Sequence, residues 1–315
     1  MCLAVIAAWL AGNASGDDLR EIVRSPYRIQ AYVRPHKSFD AGKLWVALGV
    51  PEVLSDPVLG KEPVRAFDCQ AEWPCRAWIE EVQLSATRRY VVLRLSQPLR
   101  ELNRYLVFDN KSRLIGYIDS AFAKYFDPVL YTREVGNKWW LVLREQSGSG
   151  MGAYERTQRW FEVHAGKLRE ALSILDDGYM LSYPGWYLRR PSAFVTGYEH
   201  TLHGDRLRVL FLLDYTLADD YGVDIGLFGS IQEKVVYSRG NGEAAFRLSA
   251  AESRDIARIW PGAEDPTDFL QAALPDLMMI AHSPRSAERQ WLIDNLPAFP
   301  ASPERRQLLD ALKEK

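Results

Sequence analysis

Through the middle of the chain, apolar and polar positions alternate with a period of two, the pattern of half-buried strands. Trp78 to Leu84 and Tyr90 to Leu95 are β-branched and aromatic runs parted by five residues, Ser85 to Arg89. Tyr105 to Phe108, the turn Asp109–Ser112 and Arg113 to Ile115 predict a hairpin. Asp and Asn suit its turn because their short side chains bond the local backbone. The same grammar recurs at Trp160–Val163, Ala165-Gly166 and Lys167-Leu168, and at Val235–Tyr237, Arg239–Gly242 and Ala245–Leu248. A further hairpin is read with Gly204-Asp205 as the turn between Ala193–His203 and Arg206–Tyr215. The hairpins are unequally spaced and share no blade signature. A sandwich or open antiparallel sheet is therefore the expected closure, with a propeller as the alternative.

Before this body, Leu19 to Arg24 reads as a short helix stopped by Pro26. Tyr27–Val33 and Lys43–Val50 read as strands, and Pro51–Glu62, with three prolines, as a loop. After Leu248 the pattern changes to helix starts. Ser249 to Glu252 is a capping box, and Asp265-Pro266, Ser283-Pro284 and Ser302-Pro303 each pair an N-cap residue with a proline. The first helix should end before Pro261-Gly262, the second is interrupted at Pro275, the third ends at Leu296-Pro297, and the fourth runs to Lys315. The expected class is α+β: a mainly antiparallel β body followed by a helical C-terminal segment. Its expected divisions are 1–16, 17–148, 149–248 and 249–315.

Residues 1–16 change the picture of where the protein works. Leu3–Leu10 is an apolar run, followed by small residues from Ala11 to Gly16 and then Asp17-Asp18, the layout of a secretory signal peptide. The basic residues that usually open such a peptide are missing, and no cysteine follows the run to make a lipobox. No later stretch approaches the length of a membrane span. With Cys2 set aside, Cys69 and Cys75 remain, flanking five residues. In an oxidising compartment they would close a small loop worth about 2 kcal/mol on the loop-entropy model. Zinc would need two more ligands close by, which the sequence does not offer.

Composition narrows the classes further. With 315 residues, 47% apolar and 25% charged, the chain can bury a full core. A net charge of −2, and arginine pairs (Arg88-Arg89, Arg189-Arg190, Arg305-Arg306) that stand among acids or apolar residues, argue against nucleic acid as a partner. Arginine supplies most of the basic residues, which fits a GC-rich bacterial coding sequence rather than a binding surface.

The candidate chemistry is sparse. Gly148, Gly150 and Gly152 follow the strand Lys138–Leu143, but the extended look of Tyr154–His164 removes the helix that a phosphate cradle needs. His200 and His203 sit at a spacing that shares a face only on a helix, and this stretch reads as a strand. Neither a metal nor a cofactor is expected. Asp214, Asp219, Asp220 and Asp224 form a loop cluster that could supply acid–base carboxylates or oxygen ligands if they converge. Ser149 lacks the flanking glycines of a nucleophile elbow. Aromatic residues reach 12%. Most, including Trp73, Trp78 and Trp139-Trp140, read as core, whereas Tyr183, Trp186 and Tyr187 form the loop best suited to a contact.

No motif set running along the chain points to a family. The leading expectation is an exported, non-catalytic protein of the cell envelope that grips a protein or saccharide partner through Tyr183, Trp186 and Tyr187. The alternatives are an exported hydrolase, on saccharides for example, using Asp214, Asp219, Asp220 and Asp224, and a structural component of an envelope assembly.

Overall fold

The fold is taken from a computed structural model, which describes residues 16–33, 38–55, 63–70, 74–97, 102–120, 126–150, 153–182, 187–218, 224–249, 252–253, 266–284, 286–299 and 301–314. The signal-like run 1–15 lies outside the described residues. The architecture is α+β. Antiparallel strands form the body and helices the C-terminal segment, with two main sheets in place of repeated blades. By its internal contacts the chain divides into two compact units, 1–146 with 159–171, and 147–158 with 172–315.

The first unit opens with three short helices, α1 (Gly16–Ile22), α2 (Pro26–Val33) and α3 (Ala41–Leu48). The strands expected at Tyr27–Val33 and Lys43–Val50 are therefore corrected to helices. Over eight residues both periods fit the apolar pattern, and the ends decide between them. The helix expected at Leu19–Arg24 is α1, which ends before Pro26, and Pro26 itself sits at the first position of α2. Asp40 caps α3 by accepting from the Lys43 amide at 3.1 Å, and Gly49 closes it in a left-handed conformation. The loop expected at Pro51–Glu62 instead contains β1 (Val53–Ser55), paired antiparallel with β2 (Pro63–Ala66).

A four-stranded antiparallel sheet follows in the order of the sequence: β3 (Arg76–Gln83), β4 (Arg89–Gln97), β5 (Leu102–Phe108) and β6 (Leu114–Ser120). Every residue of β5 is buried, because both faces of the sheet are covered. Leu102, Leu106 and Phe108 join Ile29, Leu44 and Trp45 on the helix side. Tyr105 and Val107 join Leu141, Leu143 and Phe161 on the other, from strands that follow. The period of two thus serves two cores at once.

The later strands are β7 (Val129–Val135), β8 (Lys138–Gly150), β9 (Ala153–His164), β10 (Lys167–Ser182), β11 (Tyr187–Thr201), β12 (Gly204–Ala218), β13 (Asp224–Gly240) and β14 (Arg247–Leu248), each paired with its sequence neighbour. The expected hairpin turn at Ala165-Gly166 has positive φ at both residues, as a tight turn between twisted strands requires. A second such turn, Gly136-Asn137, joins β7 to β8. In the first unit Trp140 and Trp160 are buried edge to face, their centroids 5.9 Å apart, while Trp139 is half-buried.

In the second unit the turn expected at Gly204-Asp205 lies two residues earlier, at Leu202-His203, with Thr201 opposite Gly204. The reason is local packing. Gly204 has φ of 150°, and a Cβ there would collide with the Arg239 carbonyl of β13. Gly204→Ala is therefore expected to destabilise by about 1–3 kcal/mol, the cost of a strained backbone position. A urea midpoint equal to wild type would show that the β12–β13 approach is slack.

The helical segment contains α4 (Pro266–Ala281), α5 (Ser286–Asn295), a 3₁₀ turn (Leu296–Ala298) and α6 (Pro303–Lys313) around its own core of Leu270, Leu277, Leu292, Leu296 and Leu308. The Ser302 hydroxyl accepts from the Arg305 amide at 3.1 Å, as its pattern predicts. Pro275 does not interrupt α4. It faces solvent, as does Gln271 one turn earlier, so the carbonyl that loses its partner can be hydrated. Ser249 and Glu252 bond each other at 3.2 Å, but residues 250–251 and the rest of that expected helix, from 254 to before Pro261, lie outside the described residues.

Candidate functional site

Within the first unit, β3 is an edge of the four-stranded sheet and β7 an edge of the long meander. Between them lies a groove of about 340 Å³ lined by Trp78, Glu80, Val92, Arg94, Tyr105 and the segment Asp127–Leu130. Register explains its floor: Trp78 lies opposite Arg94, and Arg94 opposite Tyr105, so three cross-strand neighbours form one row. Alternation then puts Glu80, two residues beyond Trp78, on the same face.

Arg94 organises this row. Its guanidinium lies 5.4 Å from the Trp78 ring centroid and 5.7 Å from that of Tyr105, within cation–π range of both. Its Nε donates to Asn103 at 3.0 Å and its Nη2 to the Asp127 carboxylate at 2.7 Å. The Tyr105 hydroxyl donates to the Pro128 carbonyl at 3.5 Å. Burial pushes the Tyr105 phenol above its ordinary pKa, so it stays neutral. Trp78 nevertheless remains 40% exposed. A large ring, held from below and open above, is suited to contact.

Away from the groove, two buried ion networks hold the first unit. Arg104, fully buried, donates to both oxygens of Asp119 and to the carbonyls of Pro51 and Val53. Arg159 links Glu145 at 3.0 Å, Glu170 at 2.7 Å and the Asp119 carbonyl at 2.8 Å. Desolvation raises the Glu145 pKa, although Arg159 and Ser120 favour its charged form. These contacts are saturated within the protein and act as frame.

Cys69 and Cys75 are joined in a disulfide with their Cα atoms 5.2 Å apart. The loop is anchored by the Phe39–Cys69 bridge and by Gln97, which both accepts from the Asp68 amide and donates to its carbonyl.

The other sequence candidates fall elsewhere. Asp214 lies within β12 and Asp224 at the start of β13, opposite Ala218. Four residues of strand separate Asp214 from that point, about 13 Å along the hairpin, and Asp219 and Asp220 lie outside the described residues. Of the aromatic loop, Tyr183 and Trp186 lie outside them too, and Tyr187 is placed by its backbone as the first residue of β11. Gly148 and Gly150 belong to β8 and Gly152 lies outside the described residues. His200 sits on β11, where its Nδ1 meets the Asp205 carboxylate, and His203 is in the turn. Burial opposes the charge on Asp205, but hydrogen bonds from His200, Arg239 and Tyr198 outweigh it and lower its pKa. Arg239 is tied in turn to the Ala244 carbonyl and the Phe246 ring, so this cluster locks the ends of β11, β12 and β13. Among the described residues no three His, Cys, Asp or Glu side chains gather as a metal site, and no helix is long and apolar enough to cross a membrane.

By its strand pattern Trp78 belongs with the core, and no motif in the sequence singles out Arg94, Tyr105 or Asp127 as a site. The alternation of β3 predicts that one of its faces is buried. That Trp78 stands where the cover ends depends on register with strands far along the chain. Comparison with known proteins returned no matching family model, no matching curated protein and no matching solved structure.

Proposed function

We propose that this chain is an exported, non-catalytic binding protein of the cell envelope, and that its first unit receives the partner in the groove between β3 and β7. The observation that carries the reading is the half-open Trp78 ring, fixed by Arg94 over a buried Tyr105. Aromatic rings held in this way give contact area at little cost in conformational entropy. The groove's volume lies at the lower end of the range for small-molecule pockets, which suits a small ligand or one side chain of a larger partner. Arg94 and Asp127 are engaged in fixing the floor, an arrangement suited to holding a ligand. The Cys69–Cys75 bond supports an oxidising compartment, in line with the signal-like residues 1–16.

A thermal-shift screen of the full chain against sugars, organic cations and short peptides tests the reading. A ligand at 100 times its Kd adds about 2.7 kcal/mol of stability, a shift of several degrees. The shift is expected in wild type and lost in Trp78→Ala. A shift kept in full by Trp78→Ala would move the binding site elsewhere, and turnover of a bound sugar would replace the binding role with a hydrolytic one.

A further inference from the structure

We infer that the groove takes an organic cation, an ammonium or guanidinium group seated against Trp78 and neutralised by Glu80. This rests on the groove being the binding site and names its ligand class. The argument is one of unspent hydrogen-bonding capacity. Among the described residues that line the groove Arg94 is the only cation, and its charge is met by Asp127 at 2.7 Å while its Nε is taken by Asn103. The Tyr105 hydroxyl is spent on the Pro128 carbonyl. Glu80 is different. It is exposed, lines the groove, and has no hydrogen-bond or ion-pair partner among the described residues. Among the described lining residues one arginine stands against two carboxylates, a surplus of one negative charge.

The unspent charge of the described lining is thus that of Glu80, an ionised carboxylate that accepts and cannot donate. The complementary groups are donors carrying positive charge. The exposed indole adds the second half of the recognition, because the face of a tryptophan attracts cations through its quadrupole. Trp78 and Glu80 are i and i+2 on one strand, about 7 Å apart along it, close enough for one small cation to touch both. Val92, Val129 and Leu130 supply apolar walls that strengthen both attractions by limiting water. A neutral sugar would gain nothing from the Glu80 charge, which makes it the weaker fit.

The test is isothermal titration of the full chain with choline, with its uncharged isostere 3,3-dimethylbutanol, and with a lysine tetrapeptide and its norleucine counterpart. Choline or the lysine peptide should bind, and the matched neutral probe should bind at least about tenfold more weakly, given the strength of cation–π and charge contacts. Glu80→Gln should cost about tenfold while keeping the shape, and added salt should weaken binding further. Binding of the lysine peptide without choline assigns the cation to a protein side chain, and binding of choline to a free ligand. Both outcomes support the inference. Equal binding of charged and neutral probes, lost in Trp78→Ala, overturns the cation and leaves the groove. Binding indifferent to Trp78→Ala removes the groove itself, and absence of binding by any cation at millimolar concentration overturns the inference. Both side chains are exposed, so circular dichroism should confirm an unchanged fold in each variant.

Discussion

Arg104→Met is expected to lower the stability of the protein by about 3–5 kcal/mol, the usual cost of removing one partner from a buried ion pair. Arg104 has no exposed surface, and Asp119 is nearly as buried. Bidentate bonds of 2.7 and 3.0 Å neutralise the carboxylate, and the remaining donors reach Pro51 at 2.6 Å and Val53 at 3.2 Å. The guanidinium also stacks 4.7 Å from the Trp45 ring and 5.2 Å from that of Tyr117, so it ties β1 and α3 to the middle of the sheet. Methionine fills much of the volume but leaves Asp119 charged and unpaired. Replacing the pair together, Arg104→Met with Asp119→Leu, removes that charge and should recover part of the loss. Full recovery is not expected, because the Pro51 and Val53 carbonyls would still lose their Arg104 donors, at about 1 kcal/mol for each bond. Urea denaturation of wild type and the two variants separates the contributions. A double variant as stable as wild type would mean that the two carbonyl bonds add nothing.

The same residue shows why part of this fold can be read in the chain and part cannot. Turns announce themselves: Asp109 accepts from the Lys111 and Arg113 amides, and Ala165-Gly166 adopts the positive φ values of a tight hairpin. The proline–serine helix starts are equally local, and Ser302 caps α6 as its pattern suggests. Tyr27–Val33 fails because seven residues cannot distinguish a period of two from 3.6. The stronger information lay in Pro26, and for the next segment in Asp40 and Gly49. Arg104, Asp119, Glu145 and Arg159 each read as an ordinary polar position on a strand. Only register, set by pairings among β5, β6, β8 and β9, gathers them inside. The groove has the same origin. Trp78, Arg94 and Tyr105 become a site through two strand pairings, and no spacing within any one segment contains that information.

Arg159→Met should cost a similar 3–5 kcal/mol at pH 7.5 and distinctly less at pH 5, and the sign of that dependence follows from Glu145. Burial raises the Glu145 pKa above the ordinary value of 4.5, against the opposing pull of Arg159 and Ser120. A carboxyl with a raised pKa binds its proton more tightly folded than unfolded. Stability from this group is therefore complete below the unfolded pKa and declines as pH rises through the folded one. Removing Arg159 takes away the cation that favours the charged form, pushes Glu145 higher still, and widens the window in which ionisation opposes folding. The loss should thus grow with pH above about 4.5. Glu145→Gln supplies the control. It keeps an acceptor for Arg159 but cannot ionise, and Glu170 still neutralises the arginine. Its stability relative to wild type should climb as pH rises from 4.5 to 7.5, measured by urea unfolding at each pH. Asp109 and Asp205, whose pKa values are lowered, contribute in the opposite sense, but their stabilisation is lost only as pH falls below the ordinary aspartate value of 3.8. A constant difference between Glu145→Gln and wild type across the upper window would show that Glu145 is already ionised at no cost, with Arg159 fully repaying its burial.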